Sequence, residues 1–208
     1  MKSSIKADQL LELHQSGVPL IFDLDDTIYN ELDFLKRAYE SICKEIFKDS
    51  WSQPHRYLIE TFCSEGREKI FQKLFLKYPN SNYDENDCLN ILRTSVFKQK
   101  LELTNWFSSF LSCVERPFHL RIITNGNPMQ QRNKVKSLKI DWSLIDLELV
   151  CANEIKKKPD PASFLSLNNS ENLSRAIYIG DSKIDREFSD NVGIRFLHTK
   201  NEISNFSL

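Results

Sequence analysis

The densest group of chemically capable side chains is Asp23-Leu24-Asp25-Asp26-Thr27, three carboxyls and a hydroxyl directly after the apolar run Val18 to Phe22. Carboxylates this close repel one another: at an effective dielectric of about 20, two like charges about 4 Å apart repel by about 4 kcal/mol. A bound cation relieves the repulsion, and oxygen donors suit a hard divalent ion. The bland alternative is capping, because Asp and Thr are good helix N-caps. Three further segments carry complementary chemistry. Ile123-Thr124-Asn125-Gly126 offers a hydroxyl and turn amides to an anion just before a helix opening near Pro128. In Lys156-Lys157-Lys158-Pro159-Asp160-Pro161, a proline-stiffened turn can hold one ammonium against a phosphate, although a solvated charge run has the same composition. Gly180-Asp181-Ser182-Lys183-Ile184-Asp185 places two more carboxylates at the head of a helix, a donor set suited to Mg²⁺ unless it only caps.

These groups need elements to bring them together. Short apolar runs at Val18 to Phe22, Leu120 to Thr124, Leu147 to Cys151, Ala176 to Ile179 and Ile194 to Leu197 read as buried strands. Segments of helical length at Pro128 to Leu138, Pro161 to Leu167 and Lys183 to Asn191 lie between the last four. Strands alternating with helices predict an α/β fold with a doubly wound parallel sheet, whose carboxyl edge is where ligands bind. About 90 residues separate the first strand from the second, far more than one crossover needs. Helical spacing of Leu32, Leu35, Tyr39, Ile42 and Ile46, with further patterns at Tyr57 to Cys63, Glu68 to Tyr78, Asp87 to Lys98 and Leu101 to Val114, predicts an all-helical subdomain there. Trp51-Ser-Gln-Pro54 and Pro79-Asn-Ser-Asn82 read as breakers between its helices.

Composition narrows the function. The 28 basic and 29 acidic residues nearly cancel and form no long block, so nucleic acid is not an expected partner. Nothing approaches the ~18 apolar residues of a membrane span, and the N-terminal stretch lacks a signal-peptide core, which predicts a soluble, cytoplasmic protein. The 5 cysteines lie far apart without a CxxC pair and read as mostly buried, reduced thiols.

Taken in order, the four segments resemble the motifs of the haloacid dehalogenase (HAD) superfamily: an Asp-x-Asp-x-Thr/Val strand end, a Ser or Thr, a Lys, and a pair of acids. Asp23 to Thr27 is similar to the first, Thr124 to the second, Lys158 before Pro159 to the third, and Asp181 with Asp185 to the fourth, so the resemblance spans Val18 to Gly193. It implies a Rossmann-like core of residues 1–27 and 117–208 with an inserted helical cap of the C1 type, residues 28–116. Asp23 is then the nucleophile and Asp25 the general acid/base of a Mg²⁺-dependent phosphatase working through an aspartyl phosphate. Asp23, the backbone carbonyl of Asp25, and Asp181 would hold the Mg²⁺, with Asp185 acting directly or through water, while Thr124, Asn125 and Lys158 would hold phosphate. The dehalogenases themselves lack the acid two residues after the nucleophile, so Asp25 disfavours that reaction. The expected partner is a small phosphomonoester, such as a sugar, polyol or amino-alcohol phosphate, with carbohydrate metabolism the setting by analogy. Two rival readings are a phosphomutase of the β-phosphoglucomutase type and a non-catalytic regulatory or binding module.

Overall fold

The apolar runs pair as parallel strands. In the computed structural model, which describes residues 7–168 and 173–199, β1 (Leu20–Phe22), β2 (Phe118–Thr124), β3 (Ile145–Cys151), β4 (Ile177–Gly180) and β5 (Arg195–His198) form one sheet of order β3-β2-β1-β4-β5. Every pairing is parallel. The helices are α1 (Ala7–Gln15), α2 (Glu31–Phe47), α3 (Ser52–Glu65), α4 (Ile70–Lys77), α5 (Glu85–Thr94), α6 (Asn105–Cys113), α7 (Pro128–Ser137), α8 (Ala162–Leu165) and α9 (Lys183–Val192). This is the expected Rossmann-like architecture. After β1 the chain builds β2 and β3 outward on one side, then returns to place β4 on the other, so the order reverses around β1. Such a switch point leaves a crevice at the carboxyl ends of the strands it divides.

Successive residues of a strand face opposite sides, and here both sides are covered. Ile21 shares one core with Ile123, Phe164, Tyr178, Phe188 and Ile194. Its neighbour Phe22 packs on the other side against Trp106, Phe107 and Phe110 of α6. The N-terminal stretch, whose first six residues lie outside the described ones, forms α1, with the His14 ring edge-on to Phe110 and Phe118.

The chain divides into two compact units, one within Met1–Asn30, Glu102–Gln131 and Leu138–Leu208, the other Glu31–Leu101 with Arg132–Ser137. The first holds the sheet, and α6 with its aromatic residues is grouped there rather than with the helices that precede it. In the second, the spacing read along α2 buries Leu35, Tyr39, Ile42 and Ile46, joined by Leu58, Phe71, Leu74, Cys88 and Leu92 from α3, α4 and α5. Two local expectations change. The break between α2 and α3 falls at 48–51, earlier than Trp51 to Pro54: α3 starts at Ser52, and Pro54 sits in its first turn, where an N–H has no intrahelical partner anyway. Leu101 to Thr104 is extended, not helical, because tertiary partners take its backbone: Leu103 bridges Tyr29, and the Thr104 N–H donates to the Ile28 carbonyl at 2.9 Å. Cys43, Cys88 and Cys151 are buried, whereas Cys63 and Cys113 are exposed. Among the described residues, no helix is long and apolar enough to cross a membrane.

Glu31 opens α2 and is buried within the helical unit. Its carboxylate lies 3.0 Å from Lys134 Nζ, itself 1% exposed, and 2.5 Å from the solvent-facing Arg67. Removing one member of a buried ion pair strands the other and costs about 3–5 kcal/mol. Lys134→Met is therefore expected to lower the melting temperature by several degrees. Arg67→Ala should change it less, since the guanidinium is solvent-facing and the Glu31 carboxylate keeps Lys134 as a partner. Equal melting of Lys134→Met and wild type in a thermal scan would show that the buried pair is not a stabilising contact.

Candidate active site

Four strand ends deliver side chains to one edge of the sheet. Asp23 follows β1 directly, and its N–H donates to the Ile179 carbonyl at 2.8 Å, which extends the β1–β4 pairing by one residue and orients the carboxyl at the switch point. After β3 a short helical turn, Ala152–Glu154, leads to Lys158, the one member of the lysine triple that is buried. Its Nζ lies 2.7 Å from Asp23 Oδ1, 2.6 Å from Asp185 Oδ1 and 2.8 Å from the Tyr178 hydroxyl. An ammonium has three N–H donors, so all three are engaged. The Tyr178 hydroxyl accepts from Lys158 and donates to the Ile123 carbonyl at 2.7 Å.

Asp185 is tied from two directions. Ser182 N-caps α9 in a capping box: its hydroxyl accepts from the Asp185 N–H, and Asp185 Oδ2 accepts from the Ser182 N–H and hydroxyl. With Oδ1 bonded to Lys158, both Asp185 oxygens have protein partners. Gly180 makes room for this, because a Cβ there would lie 2.7 Å from the Asp185 carboxyl. Asp181 sits between these residues, half-buried, and Asp23, Asp181 and Asp185 each present an oxygen within 4.8 Å of the others.

At the end of β2, the Asn125 side chain is committed to Lys158: Oδ1 accepts the Lys158 N–H at 2.8 Å and Nδ2 donates to its carbonyl at 3.1 Å. That pair of bonds fixes the turn from which the Lys158 side chain enters. The Thr124 hydroxyl donates to the Asn125 carbonyl at 3.2 Å, and the Gly126 N–H donates to Asn153 Oδ1 at 3.0 Å. The Asp25 carboxylate is held by the Tyr29 hydroxyl at 2.6 Å and by Gln131 Nε2 at 3.0 Å. The fold therefore gathers Asp23, Lys158, Asp181 and Asp185 into one cluster, and ties Asp25 to Thr124 and Asn125 through Gln131. Tyr178 and Gln131 carried no sequence signal of function, since Tyr178 sits in an apolar strand run and Gln131 in a polar helix. A tyrosine at a wholly buried strand position needs a partner for its hydroxyl, which is the one hint available from sequence.

The electrostatics of the cluster favour a further positive charge. Burial opposes the charge on Lys158, but Asp23, Tyr178 and Asp185 outweigh it and hold its pKa well above the ordinary value. Burial also pushes the Asp23 carboxyl up to about 8, against the pull of Lys158 and helped by repulsion from Asp185 and Asp25. One ammonium thus does not offset burial and repulsion enough to hold Asp23 in its ordinary ionised range, and a second cation would. Oxygens this close can move onto one Mg²⁺, whose ligands lie about 2.0–2.1 Å from it. The donor set, all oxygen, fits such an ion.

Comparison with curated protein sequences gives no match. Solved structures do resemble the chain. A HAD-superfamily hydrolase, subfamily IA, variant 1, from Geobacter sulfurreducens aligns with TM-score 0.59 at 16% identity, over 95% of this chain and 90% of that one. A candidate β-phosphoglucomutase from Thermotoga maritima aligns with TM-score 0.58 at 19% identity, over 90% and 88%. The HAD-hydrolase YfnB from Bacillus subtilis, whose structure is bound to magnesium, aligns with TM-score 0.53 at 18% identity, over 86% of each chain. At these identities the likeness speaks for the fold. The sequence model of the haloacid dehalogenase-like hydrolases matches residues 20–199, the stretch that contains the whole sheet and every residue of the cluster, and the chain belongs to that family.

Proposed function

We propose that the protein is a Mg²⁺-dependent phosphatase that hydrolyses a small phosphomonoester through an aspartyl phosphate on Asp23. The observation that carries this reading is the cluster of Asp23, Asp181 and Asp185, of which the buried Asp23 and Asp185 both pair with Lys158. Membership in a hydrolase family and the magnesium bound to YfnB support it. Asp23, the Asp25 carbonyl and Asp181 would hold the ion, which when bound would neutralise carboxylate and phosphate charge. Asp23, kept ionised, attacks phosphorus, and Asp25 protonates the departing alkoxide and later takes a proton from the hydrolytic water. Lys158 and Thr124 hold phosphate oxygens, which requires each to exchange a protein partner for the substrate. In this reading Asn125 and Asp185 act on Lys158, by fixing its backbone and its ammonium. The helical unit serves as the cap that selects the alcohol, and its near-balanced charge favours a small, moderately polar ester.

Asp23→Asn should abolish turnover, because an amide is a far poorer nucleophile toward phosphorus. Asp25→Asn should slow both half-reactions. With an activated aryl phosphate it should accumulate one added phosphoryl group on Asp23, read by intact-protein mass spectrometry. Full activity in Asp23→Asn, or label elsewhere, would contradict the assignment.

Chelation should abolish activity reversibly, and Mg²⁺ should raise the melting temperature, by about 2.7 kcal/mol of stability at a hundredfold excess over Kd. With the metal-free Asp23 carboxyl pushed up to about 8, it carries a proton at neutral pH that must leave as the ion binds. Affinity for Mg²⁺ should therefore rise as pH increases toward about 8. Calorimetry at pH ~7 in two buffers of different ionisation enthalpy reads that proton release directly; identical heats in both would refute it.

Gly180→Ala places a methyl where the Asp185 carboxyl sits, 2.7 Å away, so Asp185 must move off Lys158. Turnover should fall by at least about tenfold, a change of about 1.4 kcal/mol in the barrier. Wild-type kcat/KM in that variant would mean that the Asp185–Lys158 contact does not matter to the reaction.

A further inference from the structure

Gln131 is 1% exposed, and three oxygens converge on its side-chain amide. It lies one turn into α7, and helix side chains lean toward the N-terminus, so it reaches back over the end of β2. Its Nε2 is 3.0 Å from Asp25 Oδ2, 2.7 Å from Thr124 Oγ1 and 2.7 Å from the Asn125 carbonyl. Carboxylate and carbonyl oxygens only accept, so the NH₂ end of the amide, not its oxygen, must face them. The other Asp25 oxygen takes the hydroxyl of Tyr29, a wholly buried residue whose backbone bridges both Asp25 and Leu103.

Donors on different oxygens hold the carboxyl against rotation about Cβ–Cγ. Each uses one lone pair of its oxygen. Gly126 belongs to the same arrangement: its φ of +129° suits glycine, and a Cβ would come within 3.0 Å of Gln131 Cδ. The turn after β2 thus leaves space that the Gln131 amide fills.

We propose that Gln131 is a positioning residue for proton transfer, aiming the Asp25 carboxyl at the leaving-group oxygen through its amide N–H. This rests on the reading of Asp25 as general acid/base. In the first half-reaction Asp23 forms a bond to phosphorus, the ester P–O bond breaks with its electron pair on the leaving oxygen, and that oxygen takes the proton of Asp25. In the second, water oxygen bonds to phosphorus, its proton passes to Asp25, and the electron pair of the broken P–O bond returns to Asp23. Gln131 exchanges no proton in either step, so its effect depends on how much the step relies on Asp25.

Phenyl phosphate, with a basic leaving group, relies on protonation far more than 4-nitrophenyl phosphate does. Gln131→Met keeps the length of the side chain and removes the donor. Assayed with Mg²⁺ and full-length protein, it should lose about tenfold or more in kcat/KM on phenyl phosphate and under about threefold on 4-nitrophenyl phosphate, a part of the ~10²–10⁴-fold that general acid catalysis supplies as a whole. Equal losses on both esters, or none, would overturn the proposal. Gln131→Leu, which also removes the donor, should give the same skew and serves if the methionine variant does not fold. Adding Gln131→Met to Asp25→Asn should leave the ratio between the two esters as Asp25→Asn alone sets it; any further skew contradicts action through Asp25. If Asp25→Asn skews the ratio and Gln131→Met does not, the positioning role fails alone. If Asp25→Asn handles both esters like wild type, the reading of Asp25 fails and the proposal with it.

Discussion

A buried ammonium with all three donors engaged organises the carboxyl edge of the sheet. Lys158 reaches Asp23 from β1, Tyr178 from β4 and Asp185 from α9, and Asn125, following β2, clamps its backbone from both sides. Taking a charge out of water is costly unless it is paired and hydrogen-bonded, so each of these contacts is a condition for the others. If Lys158 were withdrawn, Asp23 and Asp185 would be left as buried carboxylates against one another, with Tyr178 lacking one of its two partners. The parallel sheet supplies the rigid frame that makes such a convergence possible, because its order places β1 between β2 and β4 and so brings distant strand ends side by side.

Two missing side chains matter as much as those present. Without a Cβ at Gly180, the Asp185 carboxyl can fold back into the capping box and still meet Lys158. Without one at Gly126, the Gln131 amide can lie beneath the turn that carries Thr124 and Asn125. The site is thus built from close approach of backbone and polar side chains, and most of its carboxylates have their orientation set by a named donor. Asp25 sits between Tyr29 and Gln131, and Asp185 between Ser182 and Lys158.

The helical unit has its own buried ion pair, in which Lys134 faces the Glu31 carboxylate and the Phe34 ring. Its core otherwise follows from spacing along the chain: Leu35, Tyr39, Ile42 and Ile46 recur at helical intervals and all are buried. The Tyr39 ring meets Phe71 edge-on at 6.0 Å, so α2 and α4 contribute aromatic contacts as well as aliphatic ones.

Much of this was written in local sequence. The apolar runs specified five strands, because a strand buried on both faces must be apolar throughout, and their alternation with helical segments specified a parallel sheet. The four polar segments at strand ends followed from the same logic, since a cluster such as Asp23 to Thr27 has no place inside a sheet. Local pattern failed where a distant partner decided the outcome. Leu101 to Thr104 had helical spacing, yet their backbone pairs with Ile28 and Tyr29. The Asn125 amide is bonded to the Lys158 backbone, 33 residues away, a pairing that no local pattern announces. Tyr178 and Gln131 were invisible because a strand tyrosine or a helix glutamine acquires a role only when the fold brings an acceptor to it, here Ile123 and Asp25. Sequence by itself determined which residue types were present at which strand ends. Only the tertiary structure decided which donors face which acceptors, because hydrogen-bond partners are set by distances of about 3 Å between elements that the order of the chain leaves far apart.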